Sequence, residues 1–247
     1  MDGDGHGEGN GGPGKEIPES IFADDDGTAD ARLAQALIRH SHGKASVAEV
    51  VDALAYARVL VPVLASGDER HLGKHGLEQD EVASTGVVAV QMPDGRTALP
   101  VFTDVEAMRV WRPEARPIPA EGPRAALAAV AEDWSVLVLN PGMESVVIPR
   151  PAVWALGAGE VWRPAVVDGA VEAVVRQAVV DAVSTDAAVL EVDAHPGNSS
   201  EVAVMLRLAP GLTRVELEDV LARVQRELAA SDVIAQRVDS LELKLSS

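Results

Sequence analysis

Residues 97–111 read Thr-Ala-Leu-Pro-Val-Phe-Thr-Asp-Val-Glu-Ala-Met-Arg-Val-Trp. The first six form a short apolar run that suits a buried strand. Thr103-Asp104-Val105-Glu106 then has capping-box spacing, in which a hydroxyl and a carboxylate three residues apart satisfy orphan backbone donors. That spacing predicts a helix running towards Trp111. A strand handing over directly to a helix sets the expectation of an α+β protein.

Working outward, Val87 to Met92 precedes this strand across Pro93-Asp94-Gly95-Arg96, and the Asp-Gly pair is a strong hairpin signal. Residues 59–64 form another apolar strand, with Pro62 removing a ladder donor, which places it at an edge or a bulge. Further upstream, residues 30–40 and the capping box Ser46-Val47-Ala48-Glu49 mark two helices. Downstream, Pro123 opens a helix with Leu127 and Val130 facing inward. Val136 to Leu139 is a buried strand ending in Asn140-Pro141-Gly142. There proline presets the first central position of a type II turn and glycine takes the positive φ of the second. Ser145 to Ile148 and a helix from Pro151 to Leu156 complete this half.

Trp162-Arg163-Pro164 and Asp168-Gly169 read as a linker. After them comes an α-β-β-α-β order: a helix over 171–183, strands over 188–192 and 202–208, a helix opened by Thr213-Arg214-Val215-Glu216, and a strand Leu241-Glu242-Leu243-Lys244-Leu245. Val202, Val204, Leu206 and Leu208 share one face, and Leu217, Val220, Leu221, Val224 and Leu228 make a helical stripe. The expectation is therefore a disordered acidic, Gly-rich tail at 1–16 and two domains, 17–165 and 171–247. Each domain would be a small mixed or antiparallel sheet packed with helices.

The 247 residues carry 39 acidic and 21 basic side chains, a formal charge of −18, and 47% hydrophobic residues. Nine of the acids and only one base, Lys15, fall within residues 1–30. Such a balance excludes a broad nucleic-acid or anionic-membrane footprint, since both need clustered Lys and Arg. An acidic tail could instead steer a basic partner. Cysteine is absent, which excludes disulfides, thiol catalysis and iron–sulfur clusters. Every apolar run is too short for a membrane span. The N-terminus also lacks the features of a signal peptide, so a cytoplasmic location is expected.

Phe22-Ala23-Asp24-Asp25-Asp26-Gly27-Thr28-Ala29-Asp30, Leu60-Val61-Pro62-Val63, the Phe102 to Trp111 segment and Leu137-Val138-Leu139-Asn140-Pro141-Gly142 occur in that order. Together they resemble the SseB family, in the form common among actinobacterial proteins. The resemblance covers about Ile17 to Pro164 as the N-terminal domain, and the region from Val171 looks like the smaller C-terminal domain. Asp104 departs from the serine expected there, without harm, because a charge in the first helical turn is favourable. The resemblance implies no catalytic residues, and its association with serine sensitivity and a secretion label names no reaction.

The candidate interaction residues are Trp111, Arg112, Asn140 and Gly142, although capping, packing and the strand-ending turn already account for much of this set. Arg109, Arg112, Arg116 and Arg124 are candidate anion contacts. Gly7 to Gly12 matches dinucleotide-loop spacing with no strand before it, and Gly67 to Lys74 exceeds a phosphate loop by one residue. His71 and His75, His40 and His42, and Asp24 to Asp26 are the nearest approaches to metal ligands, and ordinary exposed loops explain them. The expected protein is thus a non-enzymatic interaction or regulatory module with an unidentified protein partner, no cofactor, and no nucleic-acid or membrane ligand. The competing expectation is a small-metabolite-binding domain or weak enzyme with a site between the two domains. The oligomeric state is left open.

Overall fold

The structure is a computed structural model that describes residue 22, residues 25–64 and residues 86–246. The tail, the Gly7 to Gly12 and Gly67 to Lys74 loops, His71, His75 and Asp24 lie outside the described residues.

The chain begins with two helices whose starts are chemically defined. The Leu33 N–H donates to Asp30 Oδ1 at 2.9 Å to open α1 (Ala31–Ser41). Ser46 and Glu49 form a complete capping box on α2 (Val47–Leu54). Next come β1 (Arg58–Val63), β2 (Val90–Gln91), β3 (Thr97–Val101), α3 (Val105–Trp111), β4 (Arg116–Glu121), α4 (Gly122–Ala131), β5 (Val136–Leu139), β6 (Val146–Ile148) and α5 (Arg150–Ala158). One sheet has the order β2-β3-β5-β6. Its central pair β3 and β5 is parallel, and each flank is antiparallel. The parallel step requires a crossover, and α3, β4 and α4 supply it. Leu33, Val50, Leu54, Val59, Leu99, Val101, Leu137, Leu139, Ile148 and Leu156 meet in one core. Fully burying each Leu or Val stabilises by roughly 1.5–3 kcal/mol.

Several expectations need correction. β1 is not an edge. It pairs antiparallel with β4 on one side, while Leu60 exchanges backbone hydrogen bonds with Phe102 and Val63 bridges Val87 on the other. Pro62 sits between those two isolated bridges, where its missing donor interrupts the ladder. The edge is β4 instead. Because Leu60 faces Phe102, alternation turns Val59, Val61 and Val63 towards β4, opposite Ala120, Ile118 and Arg116. Pro117 and Pro119 then occupy the outward positions, where an edge strand tolerates proline. Leu127 is 52% exposed rather than inward. Ala125, Ala126 and Ala129 form the buried face of α4, and Leu127 lies over Gly157 of α5.

Beyond Trp162 a second core forms. Asp168-Gly169 is not a linker but the two-residue turn of a hairpin, β7 (Val166–Val167) and β8 (Ala170–Val171), with φ of 51° and 74°. Then follow α6 (Ala173–Val183), β9 (Val189–Pro196), β10 (Val202–Leu208), α7 (Arg214–Ala230), α8 (Asp232–Arg237) and β11 (Leu241–Leu245). β9 runs on to Pro196, beyond the 188–192 expected. The sheet order is β11-β10-β9, with β10 antiparallel to β9 and parallel to β11. Val175, Val179, Val183, Val220, Val224, Leu228 and Ile234 from the helices pack on Val202, Val204 and Leu206. The described residues thus contain eight helices and several small sheets, as α+β. None of these helices is long and apolar enough to cross a membrane.

Charged groups bridge the two cores. Arg96, in the β2–β3 turn, donates to both Asp239 carboxylate oxygens at 2.9 and 3.0 Å. Asp239 Oδ1 also accepts the Arg150 N–H at 3.1 Å. It therefore caps α5, whose own N-cap residue, Pro149, offers no side-chain acceptor. The Arg150 guanidinium donates to the Ala235 and Val238 carbonyls at 3.0 and 2.7 Å, and Arg237 donates to those of Arg163 and Pro164.

Candidate functional site

The carboxyl ends of the parallel strands β3 and β5 bring the candidate residues into one neighbourhood. Asn140 follows β5 with φ of 52° and accepts the buried Thr103 N–H on Oδ1 at 2.9 Å. Its Nδ2 returns a hydrogen bond to Thr103 Oγ1 at 3.1 Å, and that hydroxyl donates onward to Asp104 Oδ2 at 2.8 Å. Asp104, not Thr103, is the N-cap of α3, with Oδ1 accepting the Ala107 N–H at 2.8 Å. The expected capping box is thus displaced by one residue, because the Thr103 hydroxyl is committed to its neighbours. Thr103 is only 4% exposed, and its hydroxyl is held between Asn140 and Asp104.

At its far end α3 delivers Trp111 onto Phe102, with ring centroids 5.3 Å apart and planes tilted by 39°. The Arg112 guanidinium carbon lies 5.0 Å from the Trp111 ring centroid, within cation–π range. Pro141 is buried in the turn, and Gly142, with φ of 86°, packs against the indole. A side-chain carbon at Gly142 would lie 3.7 Å from Trp111 Cδ1. Met143 and Val110 flank this group at 55% and 59% exposure. Trp111, Arg112 and Gly142 therefore assemble into a surface, whereas the Asn140 amide is used internally. Arg109, Arg116 and Arg124 are carried on three different elements, and Arg124 pairs with Glu121 at 3.5 Å.

Sequence reasoning missed Arg58 and Asp25. Arg58 Nε lies 2.7 Å from Asp25 Oδ2, with both side chains largely buried. Its guanidinium also donates to the Thr103 carbonyl at 2.9 Å and to the Thr28 carbonyl. Asp25 is thus an internal ion-pair partner rather than part of a solvated acidic turn. Asp26 keeps that role, its acidity strengthened by hydrogen bonds from the Thr28 hydroxyl and N–H. A lone arginine opening an otherwise apolar strand was the signal available.

Elsewhere, His40 Nδ1 sits 2.9 Å from the Ala45 carbonyl, His42 is exposed, and His195 lies 3.3 Å from Asp193 on the surface. Among the described residues no group of three or more His, Asp or Glu is placed to hold a metal ion. A groove of about 550 Å³ opens between α7, α8, β11 and Arg150, lined by Leu228, Ile234, Val238, Leu241 and Leu243. Gln225 and Ser240 also line it, and of its two charged groups Asp239 accepts the Arg150 N–H while the Arg150 guanidinium donates to the Val238 carbonyl.

No curated protein and no solved structure matches the chain. The stretch from α1 to α5, which contains the Thr103–Asn140 lock and the Trp111 surface, matches a known family pattern. Residues 33–155, just under half of the chain, match the SseB protein N-terminal domain.

Proposed function

We propose that the protein is a non-enzymatic cytoplasmic interaction or regulatory module. In this reading residues 17–165 form its SseB N-terminal domain, and residues 171–247 form an SseB C-terminal-like domain of the actinobacterial type. The observation that carries the proposal is the division of labour around α3. The polar groups of Thr103, Asp104 and Asn140 satisfy one another, while beside them Trp111 and Arg112 are half-buried and Met143 is exposed. Trp, Arg and Met are enriched at protein–protein interfaces, and Trp and Arg most often supply the residues that dominate binding energy. The net charge of −18 favours a protein partner with a basic face and disfavours nucleic acid.

Arg112→Glu tests this. In quantitative affinity capture from the source cell, a partner held by wild-type protein is expected to fall at least about tenfold with Arg112→Glu, as for loss of a ~1.4 kcal/mol contact. An exposed control, Arg214→Glu, is expected to retain it. A partner retained equally by both variants removes the α3 surface from the proposal. Tight small-molecule binding with no protein partner would favour the metabolite-binding alternative.

A further inference from the structure

The second sheet ends in β11, and the hydrogen-bonding direction of that strand is fixed by two contacts. Val202 N–H donates to the Ser240 carbonyl at 3.2 Å, and Ser246 N–H donates to the Leu206 carbonyl at 2.8 Å. Even-numbered residues here therefore face β10, and by alternation the N–H and C=O groups of Leu241, Leu243 and Leu245 point outward. Among the described residues no strand pairs with that rim. Leu241 and Leu243 pack on the helix side of the sheet, so Leu245 projects from the same face, and it is 53% exposed. Glu242 and Lys244 occupy the opposite face, 3.0 Å apart.

The sequence Leu-Glu-Leu-Lys-Leu is complementary to itself when reversed. An antiparallel mate centred on Leu243 sets Leu241 opposite Leu245, Leu243 opposite itself, and Glu242 opposite Lys244 in both directions. All three outward-facing leucines then form hydrogen-bonded pairs, giving about six backbone hydrogen bonds. The charged residues fall at non-hydrogen-bonded positions, where side chains approach most closely. Neighbouring registers of the same parity place Glu242 on Glu242 or Lys244 on Lys244, which like-charge repulsion disfavours. A lysine on an edge strand ordinarily repels a second strand. Here one register alone neutralises it.

The groove beside β11 supplies the apolar half of the match. It lies on the helix side, next to Leu241 and Leu243, and is walled by Leu228, Ile234 and Val238. Cross-strand partners share a face, so the mate's Leu245 arrives beside Leu241, at the mouth of this groove. We propose that β11 is a self-recognition edge. It pairs antiparallel with β11 of a second copy about a two-fold axis at Leu243, joins the two three-stranded sheets into one, and seats each Leu245 in the other copy's groove.

The test is light scattering on the full chain at about 0.15 M salt, where charges more than ~8 Å apart are screened. The mass is expected to rise with concentration from 25.8 kDa towards twice that value. Leu245→Pro removes an outward donor without touching the β10 ladder, and is expected to weaken association at least tenfold with little change in thermal melting. Lys244→Glu places like charges across the axis and is expected to do the same, so the proposal stays testable if the proline variant misfolds. Because the chain has no cysteine, Leu243→Cys reports the register. Its Cα is expected about 5.5 Å from its mate, within disulfide reach, so oxidation should give a covalent dimer. Leu241→Cys, about 14 Å along the strand from its mate at ~3.4 Å per residue, should not. A mass of 25.8 kDa at all concentrations, a dimer indifferent to both edge variants, or equal cross-linking of the two cysteine variants would overturn the proposal.

Discussion

Replacing Asn140 by alanine would strip the Thr103 N–H of its acceptor inside a site that is 4% exposed, and would leave a β-carbon residue at φ 52° without a compensating side chain. An unsatisfied buried donor costs about 1–3 kcal/mol, and the left-handed region adds about 1 kcal/mol for alanine. Urea denaturation is expected to show Asn140→Ala destabilised by roughly 2–4 kcal/mol. Asn140→Gly should be milder by about 1 kcal/mol, because it relieves only the backbone part. Two glutamates make a second comparison at this scale. Burial raises the carboxyl of Glu201, so its contribution to stability is complete below the ordinary carboxylate range and is lost as pH rises through its folded value. The Ser199 hydroxyl, the Asn198 N–H and Lys244 hold Glu242 at about 2, so its contribution is present above the ordinary range and is lost as pH falls towards that value. Carboxyl NMR titration is expected to place the Glu201 midpoint above those of the exposed glutamates and the Glu242 midpoint below them.

At the level of elements, α4 approaches α2 so closely that its first residue has no room for a side chain. A β-carbon on Gly122 would lie 2.0 Å from the Leu54 carbonyl oxygen, a rigid backbone atom. Gly122→Ala is therefore expected to cost on the order of 3 kcal/mol by overpacking, read as a lowered urea midpoint. This close approach also shows what was legible in the chain. Helix starts at Ser46 and Thr213, the Asp94-Gly95 hairpin and the Asn140-Pro141-Gly142 turn were readable because each depends on chemistry within four residues. Leu127 was misread because helical periodicity marks an apolar stripe without saying that alanines would make the tighter contact. Likewise β4, Arg-Pro-Ile-Pro-Ala-Glu, carries two prolines that argue against a strand unless its outer side is known to be unpaired. Of the candidate residues, Trp111, Arg112 and Gly142 lie side by side, a grouping that their separate motifs did not by themselves predict. Arg58 and Asp25, 33 residues apart, were not, because their pairing depends on tertiary contact.

For the whole molecule, Asp239 is the point where the two cores are tied, as the ion-pair partner of Arg96 and the cap of α5. Its side chain is largely buried, so the interaction is less screened than a surface pair. Asp239→Ala is expected to destabilise by about 2 kcal/mol, with Asp239→Asn keeping part of the cap. Scanning calorimetry should then show the two cores melting less cooperatively than in the wild type. No spacing rule in the sequence announces this tie, since Arg96, Arg150 and Asp239 come from three distant segments. The β1–β4 ribbon carries the reverse device. Pro117 and Pro119 leave the outer side of the β1–β4 ribbon without a donor at two successive positions. A foreign strand approaching that flank during synthesis or heat stress meets two positions that cannot donate, which disfavours the cross-β stacking that seeds a fibril.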